Sequence, residues 1–118
     1  TSVVKELNNH DIRTSIFIHP SIKMIDAARE VNADRVELFT GTYAKSEDTI
    51  ESYIKCSELA HVLGLGINAG HDLDMKNLAF FVREMPYLDE VSIGHGLISE
   101  SLFLGLEKTI SCYKEILS

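Results

Sequence analysis

Asn68-Ala69-Gly70-His71-Asp72 and, further along, Ser92-Ile93-Gly94-His95-Gly96 are two strand endings that each run into a glycine and a histidine. A strand that stops this way leaves an imidazole and free backbone N–H groups at one rim of a sheet. In barrels built from alternating strands and helices, that rim is where substrates bind. Two such endings on neighbouring strands make half of a phosphate pocket. The pair therefore points to enzyme chemistry, with a site that this chain only partly contains.

Working outward from these endings, the pattern repeats. Arg13–Ile18, Arg35–Phe39, Leu65–Ala69 and Leu88–Ile93 read as strands, rich in β-branched and aromatic residues. Helical segments alternate with them. Residues 2–10 end one helix. Met24, Ala27, Ala28 and Val31 recur at helical spacing in the next. Residues 47–63 form a longer helix stopped by Gly64, residues 75–85 another closed by Pro86, and residues 99–117 the last. In the last helix Leu102, Leu106, Ile110, Tyr113 and Leu117 share a face. Loops before the strands are short, while those after them are longer and carry Gly, His and Thr. Strand–helix alternation means a parallel α/β fold. Four units preceded by a helix, in one domain over 1–118, are half of a (β/α)8 TIM barrel.

Composition narrows the function. The 118 residues carry a net charge of −7 with no basic cluster, which argues against a nucleic-acid surface. No apolar run reaches the roughly 20 residues of a membrane span. The start, Thr1-Ser2-Val3-Val4-Lys5-Glu6, reads as helix rather than signal peptide. Cys56 and Cys112 lie in helical patterns without metal spacing and are expected to be free buried thiols of a cytoplasmic protein. Gly94-His95-Gly96 is not a dinucleotide fingerprint. No cofactor or metal is expected; in His71, Asp72 and Asp74, adjacent side chains are expected to point apart.

Three positions carry the chemistry. Glu37 lies mid-strand, and alternation sends it to the barrel interior while Val36 and Leu38 face the helices. A carboxylate there is paired, with Arg35 for example, or used. His71 follows two small residues that let a ligand approach and suits acid–base work near neutral pH. Gly94 lets the backbone approach an anion that the following N–H groups hold. Thr40-Gly41 stands ready to add a hydroxyl or N–H at the same rim. His10, His19 and His61 have no reading beyond structure, and Tyr43, Lys45 and Asp74 are unassigned.

The segments Val36-Glu37-Leu38-Phe39-Thr40-Gly41-Thr42-Tyr43-Ala44, Ile67-Asn68-Ala69-Gly70-His71 and Ile93-Gly94-His95 resemble the pyridoxine 5′-phosphate synthase family of vitamin B6 biosynthesis. The resemblance covers nearly the whole chain and corresponds to strands five to eight, the C-terminal half of that family's barrel. It implies the condensation of 3-amino-2-oxopropyl phosphate with 1-deoxy-D-xylulose 5-phosphate to give pyridoxine 5′-phosphate, phosphate and water. By the same resemblance Glu37 stabilises the transition state and His71 donates a proton. Gly94 and His95 bind the substrate phosphate. Asp72 stands where the family motif has a phosphate-contacting glycine, and its carboxylate must then point away from the anion. Phe39 replaces an expected histidine and receives no role. The implied partners are small phosphorylated substrates, the N-terminal half of the barrel, and further copies in a multimer of dimers. A fragment lacking the other acid–base groups is expected to be inactive alone. Two other readings remain open: another phosphosugar-processing barrel enzyme, and a non-catalytic phosphate-binding fragment.

Overall fold

The computed structural model describes residues 2–118. After helix α1 (Ser2–Asn9) come β1 (Ser15–Ile18), α2 (Ile22–Glu30), β2 (Arg35–Phe39), α3 (Gly41–Lys45), a 3₁₀ turn (Glu47–Thr49) and α4 (Ile50–Val62). They are followed by β3 (Gly66–Gly70), α5 (Leu78–Glu84), β4 (Glu90–Ser92), α6 (His95–Leu104) and α7 (Leu106–Leu117). The four strands form one parallel sheet in the order β1-β2-β3-β4. This is the α/β architecture expected of half a (β/α)8 barrel, with each strand beside its predecessor. Among the described residues no helix is long and apolar enough to cross a membrane.

Strand alternation sorts the sheet into two faces. Val36, Leu38, Ile67 and Ala69 are fully buried beneath the helices, against Ile25, Tyr53, Cys56, Ala60 and Phe81. The opposite, concave face carries Arg35, Glu37 and Phe39 of β2, in register with Gly66, Asn68 and Gly70 of β3. Phe17 joins this face from β1 and Glu90 and Ser92 from β4. The lower part of the face is a polar network. Arg35 Nη1 donates to Asn68 Oδ1 at 2.8 Å and lies 3.3 Å from Asp89 Oδ2. Asn68 Nδ2 donates to Glu90 at 3.1 Å, and Arg13 pairs with Glu90 at 3.0 Å. Asn68 thus belongs to the floor of the face, not to its rim.

Several boundaries differ from the periodicity. Strand β1 begins two residues later than expected, at Ser15, and β4 is trimmed at both ends to Glu90–Ser92. Helix α2 buries Ile25 and Ala28, whereas Met24 is 42% exposed. Its inward face is therefore turned one residue from the one that the apolar spacing suggests. The expected single last helix is two. Gly105 has φ +82° and ψ 148°, a conformation that no helix continues through and that glycine adopts without a Cβ penalty. Because the helix breaks there, Leu102 and Leu106 do not share a buried stripe with Tyr113, and Thr109 joins Tyr113 inward. Cys56 is buried and Cys112 half-buried, both as free thiols.

One loop carboxylate fixes the entrances of two strands. Asp34 accepts hydrogen bonds from Thr14 N (2.6 Å) and Thr14 Oγ1 (2.8 Å), which hold its acid below the usual 3.8. A lowered folded-state value means stability that is present above the unfolded carboxylate range and lost as pH falls through the folded value. Asp34→Asn is therefore expected to lower Tm at pH 7. The gap between the two proteins should close as the pH is taken below the ordinary carboxylate range, a trend that thermal melts across pH will read.

Candidate active site

The upper rim of the concave face is assembled from the C-terminal ends of β2, β3 and β4. Phe39 is in register with Gly70, and Gly70 with Ser92. Glu37 rises from one layer below, half-buried, with its carboxylate over Gly70. A Cβ on Gly70 would collide with Glu37 Oε1 and would lie 3.0 Å from the Ser92 Cβ. The glycine is thus the space that the glutamate occupies. Arg35 turns instead toward Asn68, Asp89 and Glu90, and among the described residues no cation lies within 4.0 Å of the Glu37 carboxylate. The Arg35–Glu37 pair that strand spacing allows is not made, because the two side chains belong to successive layers of the face.

Gly70→Ala follows as a test of that packing. Displacing Glu37 by about an ångström is expected to cost on the order of 10²-fold in turnover of the full-length protein. The accompanying change in Tm should be small, since the atom in collision is the far end of the flexible Glu37 side chain. Parallel kcat and Tm measurements separate the two effects.

His71 and Asp72 follow Gly70 with φ of +99° and +56°. Two successive left-handed residues that are not glycine store backbone strain, of the kind that concentrates in ligand sites. The loop is held in that shape from both sides. Buried Thr40 donates its hydroxyl to His71 O and its N–H to Gly70 O (2.9 Å). Asn77 Nδ2 donates to Asp72 O at 3.0 Å. Thr40 is accordingly a brace for the loop rather than a hydroxyl offered at the rim. Asp72 takes a φ that aspartate tolerates better than most residues. Its carboxylate lies 3.0 Å from His71 Nδ1. The expectation that adjacent side chains here point apart fails, because the positive φ values fold the two residues toward one another. Three acidic or imidazole groups with metal-binding geometry do not come together among the described residues.

Phe39 and His19 were given no role by the sequence pattern, and both stand at this rim. The Phe39 ring centroid is 4.9 Å from His19, 4.7 Å from His71 and 5.9 Å from Phe17. Phe39 also lies over Gly41, where a Cβ would strike its ring. The spacing of His19 after β1 was a usable signal, since strand ends carry rim residues.

Gly94 caps the start of α6, with open space around it, and His95 is the first helical residue. Both are exposed. The first bond of this helix is Ile98 N to Gly94 O at 3.2 Å, so the N–H groups of His95, Gly96 and Leu97 precede it and have no intrahelical acceptor. Helix α6 is tied to the His71 loop. Glu100 accepts from Met75 N (3.2 Å) and from the Tyr113 hydroxyl. A Cβ on Gly96 would run into Leu73 O. Burial and the Glu100 carboxylate push the Tyr113 hydroxyl far above its ordinary range.

Support comes from behind the rim. Tyr53 donates its hydroxyl to Phe39 O at 2.8 Å. Tyr43 donates to Asn77 O at 2.6 Å and is pushed up to about 12, mainly by burial. Tyr43, unassigned from sequence, is a core residue of α3. Asp74 Oδ1 accepts from Lys76 N (2.8 Å) and Asn77 N (3.0 Å) and shapes the turn before α5. His10 pairs with Glu6 at 3.2 Å, and His61 stacks on Tyr87 with centroids 3.7 Å apart, both away from the rim.

The family model for "Pyridoxal phosphate biosynthesis protein PdxJ" matches residues 1–118. The chain belongs to the PdxJ family. A relative from Christiangramia forsetii, named pyridoxine 5′-phosphate synthase, is 52% identical over 120 residues, covering 98% of this chain and 51% of the relative. Relatives of the same name from Flavobacterium johnsoniae and Bacteroides fragilis are 48% and 47% identical. They are covered to 49% and 52% of their length, by 94% and 99% of this chain respectively. The chain thus spans about half the length of the curated PdxJ relatives it matches, as a four-strand half-barrel requires.

Proposed function

We propose that this half-barrel, completed by the N-terminal half of a PdxJ barrel, is a pyridoxine 5′-phosphate synthase. It condenses 3-amino-2-oxopropyl phosphate with 1-deoxy-D-xylulose 5-phosphate and releases phosphate and water. The observation that carries this reading is the Glu37 carboxylate over Gly70, on the same rim as His71 and the open N-terminus of α6. Imine formation, eliminations and ring closure each move protons among carbon, nitrogen and oxygen. They call for several acid–base groups around one cavity and an anchor for phosphate.

In this reading Glu37 stabilises charge developing on the reacting atoms, and His71 delivers a proton to a departing oxygen. Gly94, His95 and the backbone N–H of Asp72 hold the substrate phosphate. The helix N-terminus supplies partial positive charge, and Gly94 leaves room for close approach. The Asp72 side chain is turned to His71. The remaining acid–base groups come from the N-terminal half, so the 118-residue fragment alone does not complete the reaction. The assembled enzyme works in the cytoplasm as a multimer of dimers.

The test is an assay of the full-length protein with both phosphorylated substrates. Equal amounts of pyridoxine 5′-phosphate and inorganic phosphate are expected. A folded full-length barrel that binds phosphate at Gly94-His95 and forms no product would overturn the synthase in favour of a binding role.

A further inference from the structure

We propose that Asp72 is a positioning residue for His71, its carboxylate keeping a proton on Nδ1 so that Nε2 is the nitrogen presented to substrate. The inference rests on His71 being the proton donor described above. Its basis is the geometry around one imidazole. Asp72 Oδ2 lies 3.0 Å from Nδ1. The Phe39 ring packs on the imidazole with centroids 4.7 Å apart, tilted by 56°. Thr40 and Asn77 grip the two carbonyls of the strained pair, those of His71 and Asp72. Adjacent residues in extended chain point to opposite sides. Here left-handed backbone at both residues is what sets carboxylate and imidazole side by side.

The arrangement has a defined proton path. The imidazolium breaks its Nε2–H bond and passes that proton to a substrate oxygen or nitrogen. The neutral ring left behind keeps its remaining proton on Nδ1, the nitrogen beside the carboxylate. A carboxylate beside one ring nitrogen favours the tautomer that carries its proton there. The pair is about half exposed, with side chains 51% and 52% accessible, so its effect is modest and not absolute.

The experiment compares full-length protein carrying Asp72, Asp72→Asn and Asp72→Gly. Both replacements tolerate positive φ, so the loop survives in each. Nitrogen-15 NMR of the neutral His71 ring reads the tautomer directly. The parent is expected to carry its proton on Nδ1, and both variants are expected to shift it to Nε2. In turnover, kcat is expected to fall about two- to fivefold with KM nearly constant. An unchanged tautomer in the variants would overturn the proposal, whatever the turnover. So would a changed KM with constant kcat, which would assign the Asp72 side chain to phosphate binding. A parent that makes no product would sink the synthase reading alone, since the tautomer still decides whether Asp72 orients His71.

Discussion

Glu37→Gln in the full-length barrel is expected to lower kcat by about 10²–10³-fold, with little change in folding. The substitution keeps the shape that fits over Gly70 and removes the charge and the capacity to accept a proton. The structure makes this a clean experiment. Glu37 has no cation within 4.0 Å among the described residues, so no ion pair is broken and no buried charge is orphaned. Its side chain stands in a gap left by a glycine, and glutamine fills the same gap. A loss confined to kcat would mean that the carboxylate acts in the transition state and not in ground-state binding. A variant with parental kcat would remove Glu37 from the chemistry altogether.

The largest effect on stability is expected at Phe81. Its side chain is fully buried, with ring centroids 4.8 Å from Tyr43 and 5.6 Å from Tyr53. Phe81→Ala removes the ring from the middle of an aromatic cluster that joins α3, α4 and α5. Cavities of this kind cost about 3–5 kcal/mol, a large share of a typical folding free energy of about 5–15 kcal/mol. Urea unfolding of the full-length protein should show a lower midpoint with an unchanged slope. The consequence reaches the site, because Tyr53 holds Phe39 O and Tyr43 holds Asn77 O. A midpoint within experimental error of the parent would mean that the cluster repacks around the hole.

The elements legible in the sequence were those set by period and punctuation. Val36 and Leu38 flank Glu37, and the alternation sends both to the face opposite it, as the strand rule requires. The Gly-His endings were legible as strand ends, and β3 does close at Gly70 while Gly94 precedes α6. What was hidden depends on backbone angle and on contacts across the chain. Gly105 was itself a local signal of a break, but it was masked because its neighbours Leu104 and Leu106 continue the apolar spacing. Thr40 reads as a rim hydroxyl until its partner, the carbonyl of His71, is located 31 positions away. His19 and Phe39 become neighbours only when β1 and β2 pair. The approach of Asp72 to His71 rests on two positive φ values that residue types alone do not announce.

The strand order β1-β2-β3-β4 also bears on how quickly the fold is reached. Ser15 pairs with Arg35, Arg35 with Gly66 and Asn68 with Glu90, so each pairing closes a loop of only about twenty to thirty residues. A parallel sheet is ordinarily slow to assemble because its partners are distant along the chain. Here each new strand finds its mate in the unit synthesised just before it. The sheet can zip forward as the ribosome delivers it, and the strand ends carrying Glu37, His71 and Gly94 fall into register in that same order.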